Sequence, residues 1–284
     1  MSLDQRQAAP PGSPPGASAR SGTPPGDLDG MDNTTAIKIS EVSKAFGHGR
    51  DALLALDRVS LDVALGEFVC LIGASGCGKS TLLSLVAGLD APTAGVIDTA
   101  GRKVALMFQE PALFPWLTAA KNVELALRPS GISGQARRGR AAELLETVHL
   151  GGFGNKRPHE LSGGMRQRVA MARALATDAD VLLMDEPFGA LDAFTRDEMN
   201  LLLLRLWSET RKTIVFVTHN ISEAIFLADR VVVMTTRPGR LAKIFDVELP
   251  RPRTIDMTFQ PGFIATIQEI KAVVESGYKH TVEV

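Results

Sequence analysis

Residues 73–81 read GASGCGKST, which places Gly73, Gly78, Lys79 and Ser80 at the spacing G-x-x-x-x-G-K-[ST]. Small residues at this density let consecutive backbone N–H groups turn inward around an anion. A helix that starts where the run ends adds its positive N-terminus. Lys79 brings a full charge to the outer phosphates, and the Ser80 hydroxyl can ligate Mg²⁺. The chemistry expected of the segment Gly73, Ala74, Ser75, Gly76, Cys77, Gly78, Lys79, Ser80 and Thr81 is therefore the binding of a nucleoside triphosphate with Mg²⁺. A second group lies at residues 181–186, VLLMDE, an apolar run ending in two carboxylates. An acid at the C-terminal end of a buried strand points into the crevice where α/β sheets bind ligands. Asp185 is expected to hold Mg²⁺ through water, and Glu186 to act as general base on an attacking water. Cys77, set among phosphate-binding N–H groups and beside Lys79, is expected to be a reactive thiol.

These groups need a scaffold, and the pattern of the chain supplies one. Residues 67–72, EFVCLI, form a short and nearly continuous apolar run ending in glycine, as a buried parallel strand does. Further strands are expected at 36–42, 59–63, 104–108, 181–184, 213–218 and 230–234. Helical stretches are expected at 81–87, 136–149, 165–176, 196–209 and 222–228. Strands alternating with helices predict a mostly parallel sheet covered on both faces. Residues 111–176 carry no strand pattern and read as a separate helical lobe. The first 30 residues hold six of the 16 prolines and five glycines with almost no large apolar side chain, so residues 1–35 are expected to be a disordered tail. Residues 36–260 then form the main domain, and residues 261–284 a C-terminal helical extension.

Composition removes other classes of function. Lys plus Arg total 31 against 32 Asp plus Glu, a net charge of −1, without the basic excess of a chain that grips nucleic acid. Two cysteines cannot make a disulfide framework or a four-cysteine zinc site. No apolar stretch approaches the roughly 20 residues of a membrane-spanning helix, and no charged-then-apolar leader opens the chain.

Residues 161–168, LSGGMRQR, carry the family resemblance. Together with GASGCGKST, Gln109 in MFQE, VLLMDEP, the ALD of residues 190–192 and His219 in VTHN, they resemble the ATP-binding-cassette (ABC) ATPases over roughly residues 36–240. The resemblance implies a P-loop NTPase (RecA-like) α/β core with a small N-terminal antiparallel sheet and a helical subdomain bearing the signature. It implies that Phe46 stacks on adenine, and that Gln109 touches Mg²⁺ and reports to a membrane partner. Ser162, Gly163 and Gly164 would clasp the γ-phosphate of a nucleotide held by the other subunit. Asp192 would lie in the dimer-contacting loop, and His219 would fix the attacking water. Phosphate loop and signature act in trans in this family, so the resemblance implies a dimer with two ATP molecules between head-to-tail copies.

Lys79 and Ser162 are 83 residues apart, too close for the long coiled coils of DNA-acting relatives, so no nucleic-acid partner is expected. Only 65 residues follow His219, so the extra C-terminal regulatory domain of sugar-type importers is not expected. The strings at 107–123, 185–196 and 219–241 look like the nitrate, sulfonate and taurine importer group. That likeness implies a peripheral ATPase on the cytoplasmic face of the membrane, docked on separate permease subunits and served indirectly by a solute-binding protein. Phe114, Pro115, Trp116 and Leu117 become the expected permease contacts. An exporter or a regulatory ABC ATPase is the alternative, and cargo identity is only weakly encoded in such a chain.

Overall fold

The computed structural model describes residues 34–47, 49 and 52–282, with the side chains of the last helix described through residue 276. The tail expected over residues 1–35 lies outside the described residues as far as position 33. Thr35 already belongs to the first strand.

Two sheets form the scaffold. β1 (Thr35–Phe46), β2 (Leu53–Ala64) and β4 (Ala94–Asp98) make a three-stranded antiparallel sheet in the order β2-β1-β4. The second sheet has six strands, in the order β5-β6-β7-β3-β8-β9. Its members are β3 (Phe68–Gly73), β5 (Val104–Met107), β6 (Val181–Asp185), β7 (Thr213–Val217), β8 (Arg230–Met234) and β9 (Leu241–Asp246). β5 through β8 pair in parallel, and only β9 runs antiparallel, along β8.

β3 shows why its run is apolar throughout. Phe68, Cys70 and Ile72 face one core, whereas Val69 and Leu71 face the other, so both sides of the strand are buried. The second of these cores is roofed by the antiparallel sheet and by α1 (Lys79–Val86). The first holds α5 (Ala193–Thr210), α6 (Ile221–Leu227) and the helical lobe.

The lobe contains α2 (Ala119–Ala126), α3 (Gly134–Thr147) and α4 (Gly163–Ala176). Each is opened by a hydroxyl cap. Thr118, Ser133 and Ser162 accept the backbone N–H groups of Lys121, Ala136 and Met165. Asn122, fully buried on α2, fixes the loop before it. Its Oδ1 accepts the Phe114 N–H at 2.9 Å, and its Nδ2 donates to the carbonyls of Phe114, Leu117 and Thr118. The C-terminal helix α7 (Pro261–Val282) lays Phe263 and Ile270 into the first core, so it packs on the domain. The buried Arg253 guanidinium fixes the chain just ahead of it, donating to the carbonyls of Ile225, Phe226 and Ala228 at the end of α6. Burial and the neighbouring Arg251 pull the Arg253 pKa down to about 10.

The expectation of alternating strands and helices therefore matches the six-stranded sheet, with three elements beyond it. β4, α2 and β9 have no counterpart among the expected segments. β4 reads AGVID and β9 reads LAKIFD, both largely exposed edge strands that lack the unbroken apolar run of a strand buried on both faces. Among the described residues no helix is long and apolar enough to cross a membrane.

Candidate functional site

A cleft of about 540 Å³ opens at the C-terminal edge of β3. Parallel strands send their following loops to this edge, where α/β proteins gather ligand-binding groups. The phosphate loop forms its floor. Gly78 caps α1 with φ of 95°, a conformation that suits glycine. A Cβ there would also stand 2.5 Å from Leu56 Cδ2, so β2 closes the space behind the loop. Because no side chain caps α1, its first N–H groups remain available to an anion. Lys79, 6 % exposed, donates from Nζ to the carbonyls of Gly73 and Ala74, both at 2.9 Å.

The other wall brings Glu186 and His219 together, with Asp185 buried next to Glu186 and not itself lining the cleft. Asp185 ends β6 and Glu186 follows it. Burial lifts the Asp185 pKa above the usual carboxylate value, with Glu186 adding to the rise, while a Ser80 hydrogen bond and the Lys79 charge oppose it. Glu186 has φ of 44°, a strained value for this residue type. Its N–H donates to the Val217 carbonyl at 3.0 Å, which ties the turn to β7. Glu186 Oε2 lies 3.0 Å from His219 Nδ1. The His219 turn is stitched in place from below. Thr218 Oγ1 donates to the buried Glu223 at 2.5 Å and accepts the Asn220 N–H at 3.0 Å, and Asn220 Oδ1 accepts the Glu223 N–H. Burial also raises the Glu223 pKa.

Gln109 completes the described wall. Its carbonyl accepts Gln167 Nε2 at 3.2 Å, and Arg173 donates to the carbonyls of Pro111 and Ala112. Both donors sit on α4, so the helix that begins at the signature also holds the segment that begins at Gln109.

Of the residues singled out from the sequence, the cleft is lined by Phe46, Gly73, Ser75, Gly76, Gly78, Lys79, Ser80, Thr81, Gln109, Glu186 and His219. Ala74 and Cys77 are buried beneath the loop. The reactive thiol expected at Cys77 is corrected by this placement. Its side chain is 0 % exposed in the apolar core and lies 3.7 Å from Lys79 Nζ, so a reagent has no path to it in this conformation. Ser162, Gly163 and Gly164 at the start of α4, and Asp192 at the start of α5, lie outside this cleft. Asp192 caps α5, and the backbone and hydroxyl of Thr195 hold its pKa below the usual value. The wall also includes Leu53, Leu54, Ala55 and Arg237, none of which sequence reasoning named. For Arg237 no local signal existed, since its place depends on β8 pairing with the strand before the phosphate loop.

The ABC transporter family model matches residues 56–189. The nitrate import ATP-binding protein NrtD of Synechocystis is 41 % identical over 251 residues, covering 84 % of this chain and 94 % of that protein. The taurine import ATP-binding protein TauB of Rhizobium johnstonii is 44 % identical over 256 residues, covering 84 % and 97 %. A solved dimeric structure of the ATP-binding cassette MJ0796, in a post-hydrolysis state with ADP and Pi, superposes with a TM-score of 0.69 at 36 % identity. It covers 75 % of this chain and all of that one.

Proposed function

This chain belongs to the ABC transporter ATPases, and we propose that it powers uptake of a small anionic or sulfonated solute through separate permease subunits. It is an ATP-hydrolysing cassette with the P-loop α/β fold. The cargo reading follows the nitrate and taurine importers that it resembles over most of their length. The membrane partner would be met on the cytoplasmic face, with Phe114, Pro115, Trp116 and Leu117 as contacts. Trp116 is 67 % exposed, its ring 5.4 Å from that of Phe114, on the loop that Asn122 holds still. A solute-binding protein would deliver cargo to the permease and not to this chain.

Within the cleft each residue has a defined task. Phe46 stacks on the adenine. The N–H groups of residues 73–81 and the Lys79 ammonium bind the phosphates. The donor set offered by Ser80, Asp185 and Gln109 is all oxygen and so suits Mg²⁺. Among the described residues no cluster of three His, Cys, Asp or Glu could hold a metal alone, so phosphate oxygens must share the work. Once bound, Mg²⁺ would neutralise charge on the phosphates. Glu186 takes the proton of the attacking water, and His219 orients the carboxylate and the γ-phosphate. Ser162, Gly163 and Gly164 of a second copy, with Asp192 beside them, close the site in an ATP-bridged homodimer.

The single observation that carries this reading is the 3.0 Å approach of Glu186 Oε2 to His219 Nδ1 on the cleft that also holds Lys79 and Ser80. The test is genetic and biochemical. Disrupting the gene should abolish growth on nitrate as sole nitrogen source or on taurine as sole sulfur source. The parental gene should restore growth, and Glu186→Gln should not. Unchanged growth on both, with ATPase activity intact in the purified protein, would discard the cargo assignment and leave the enzyme assignment standing.

A further inference from the structure

We propose that Arg237 is a nucleotide-binding residue, its guanidinium adding a second cation to the polyphosphate beside Lys79. The inference rests on the ATP-binding reading of the cleft and goes beyond the residues that reading uses. Arg237 lies on the cleft wall with Phe46, Gly76 and Lys79. Its Nη2 would be 3.6 Å from a Cβ built on Gly76, so the guanidinium hangs over the crown of the phosphate loop.

The loop that carries it is built into this position. β8 pairs in parallel with β3, with Met234 beside Gly73, so the two strands release their loops at the same edge. The β8–β9 loop is then fastened to β2. The Gly239 N–H donates to the Ala55 carbonyl at 2.9 Å, the Asp57 N–H donates to the Gly239 carbonyl at 3.0 Å, and Arg240 pairs with Asp57. Gly239 rests directly on the phosphate loop, for a Cβ there would fall 2.0 Å from the Cys77 carbonyl oxygen. Only glycine permits that approach, and the approach is what sets Arg237, two residues earlier, above Gly76.

The electrostatics fit a multiply charged anion. One cleft gathers two cationic side chains and the positive end of α1, while its described wall carries a single carboxylate, Glu186. A guanidinium always carries its charge and offers paired donors that match phosphate oxygens. Its backbone is fixed, so less freedom is lost when the side chain engages the ligand.

The experiment compares the parent with Arg237→Ala and Arg237→Lys, using fluorescent N-methylanthraniloyl (mant) derivatives of ATP, ADP and AMP. Arg237 is exposed, so truncation should leave the melting temperature unchanged. Arg237→Ala should raise the Kd for mant-ATP about tenfold, the loss expected of a charge-assisted contact. The loss should shrink from ATP to ADP to AMP, and Arg237→Lys should recover part of it. A Kd for mant-ATP within twofold of the parent, or equal losses for all three nucleotides, would overturn the proposal. Failure of the parent itself to bind mant-ATP would instead take down the ATPase reading, so the two failures are distinct.

Discussion

Two helix N-termini in this molecule carry the same ingredients and make different things of them. α1 begins at the phosphate loop and α4 at the signature, each with glycine, serine and a positive helix end. At α1 the cap is Gly78, no side chain occupies the first N–H groups, and a buried lysine and a cleft surround them. At α4 the cap is Ser162, whose hydroxyl already accepts the Met165 N–H, and the serine faces solvent outside the cleft. Arg166 donates to the carbonyls of Pro158 and Leu161 and braces the turn before it. The first terminus is walled by side chains of its own chain, Lys79, Glu186 and His219 among them. The second is braced but open to solvent, an arrangement that suits the proposal that it serves a nucleotide held by another copy.

The sharpest way to break this comparison is at Lys79. Lys79→Ala removes the buried ammonium and with it charge-assisted hydrogen bonds of about 1.5–3 kcal/mol each. Affinity for mant-ATP should fall roughly 100-fold or more by this account, and neither hydrolysis nor an ATP-dependent dimer should remain. An unchanged Kd would mean that the phosphates do not lie where α1 points.

Next in size is Glu186→Gln, which keeps the side chain's shape and removes the base. Hydrolysis should drop by about 10²–10⁴-fold with binding nearly intact. The variant should therefore accumulate as an ATP-dependent dimer on gel filtration. Parental turnover together with a monomer in ATP would reject both the assigned base and the sandwich.

Ser162→Ala tests the second terminus alone. Binding of mant-ATP to dilute, monomeric protein should stay within twofold of the parent, because this serine lies outside the cleft. Hydrolysis at high protein concentration should fall about tenfold, through one lost contact to the partner's nucleotide. Weakened binding in the dilute monomer would show that the signature serves its own chain, and the contrast between the two helix ends would collapse.

The two regions were also unequally legible in the sequence. The phosphate loop, the paired acids after β6 and the strands flanking them stand out because burial on both faces demands unbroken apolar runs. Cys77 reads as a reactive thiol in sequence because it is set among phosphate-binding N–H groups close to Lys79. In the fold it turns into the core beneath the loop, a direction that neighbour identity does not encode. Arg237 went unread for the opposite reason. Its part in the cleft depends on β8 lying next to β3 and on Gly239 reaching Cys77, contacts more than 150 residues apart in the chain. Edge strands β4 and β9 are largely exposed, so their patterns are diluted, and pairing with β1 and β8 gives them their form.

The smallest expected effect lies at Asp185 and concerns what a complete site costs when a carboxylate must be buried to build it. Burial raises its pKa in the folded state. The folded protein therefore holds the proton more tightly than the unfolded chain, whose aspartates titrate near 4. Between that value and the raised one, stability falls as pH rises, and above both the full penalty persists. Asp185→Asn removes the charge and keeps the shape, so the nucleotide-free variant should melt a few degrees above the parent at pH 7, at roughly 2–4 °C per kcal/mol for a domain of this size. The difference should narrow as the pH is lowered through the raised pKa, because protonation of the parental carboxyl removes the buried charge there too. Mg-ATP should raise the parent's melting temperature more than the variant's, because the oxygen that would face the metal has lost its charge. A variant that melts below the parent at pH 7 would mean that the Ser80 hydrogen bond and the Lys79 charge outweigh desolvation, and that the acid is held at no cost.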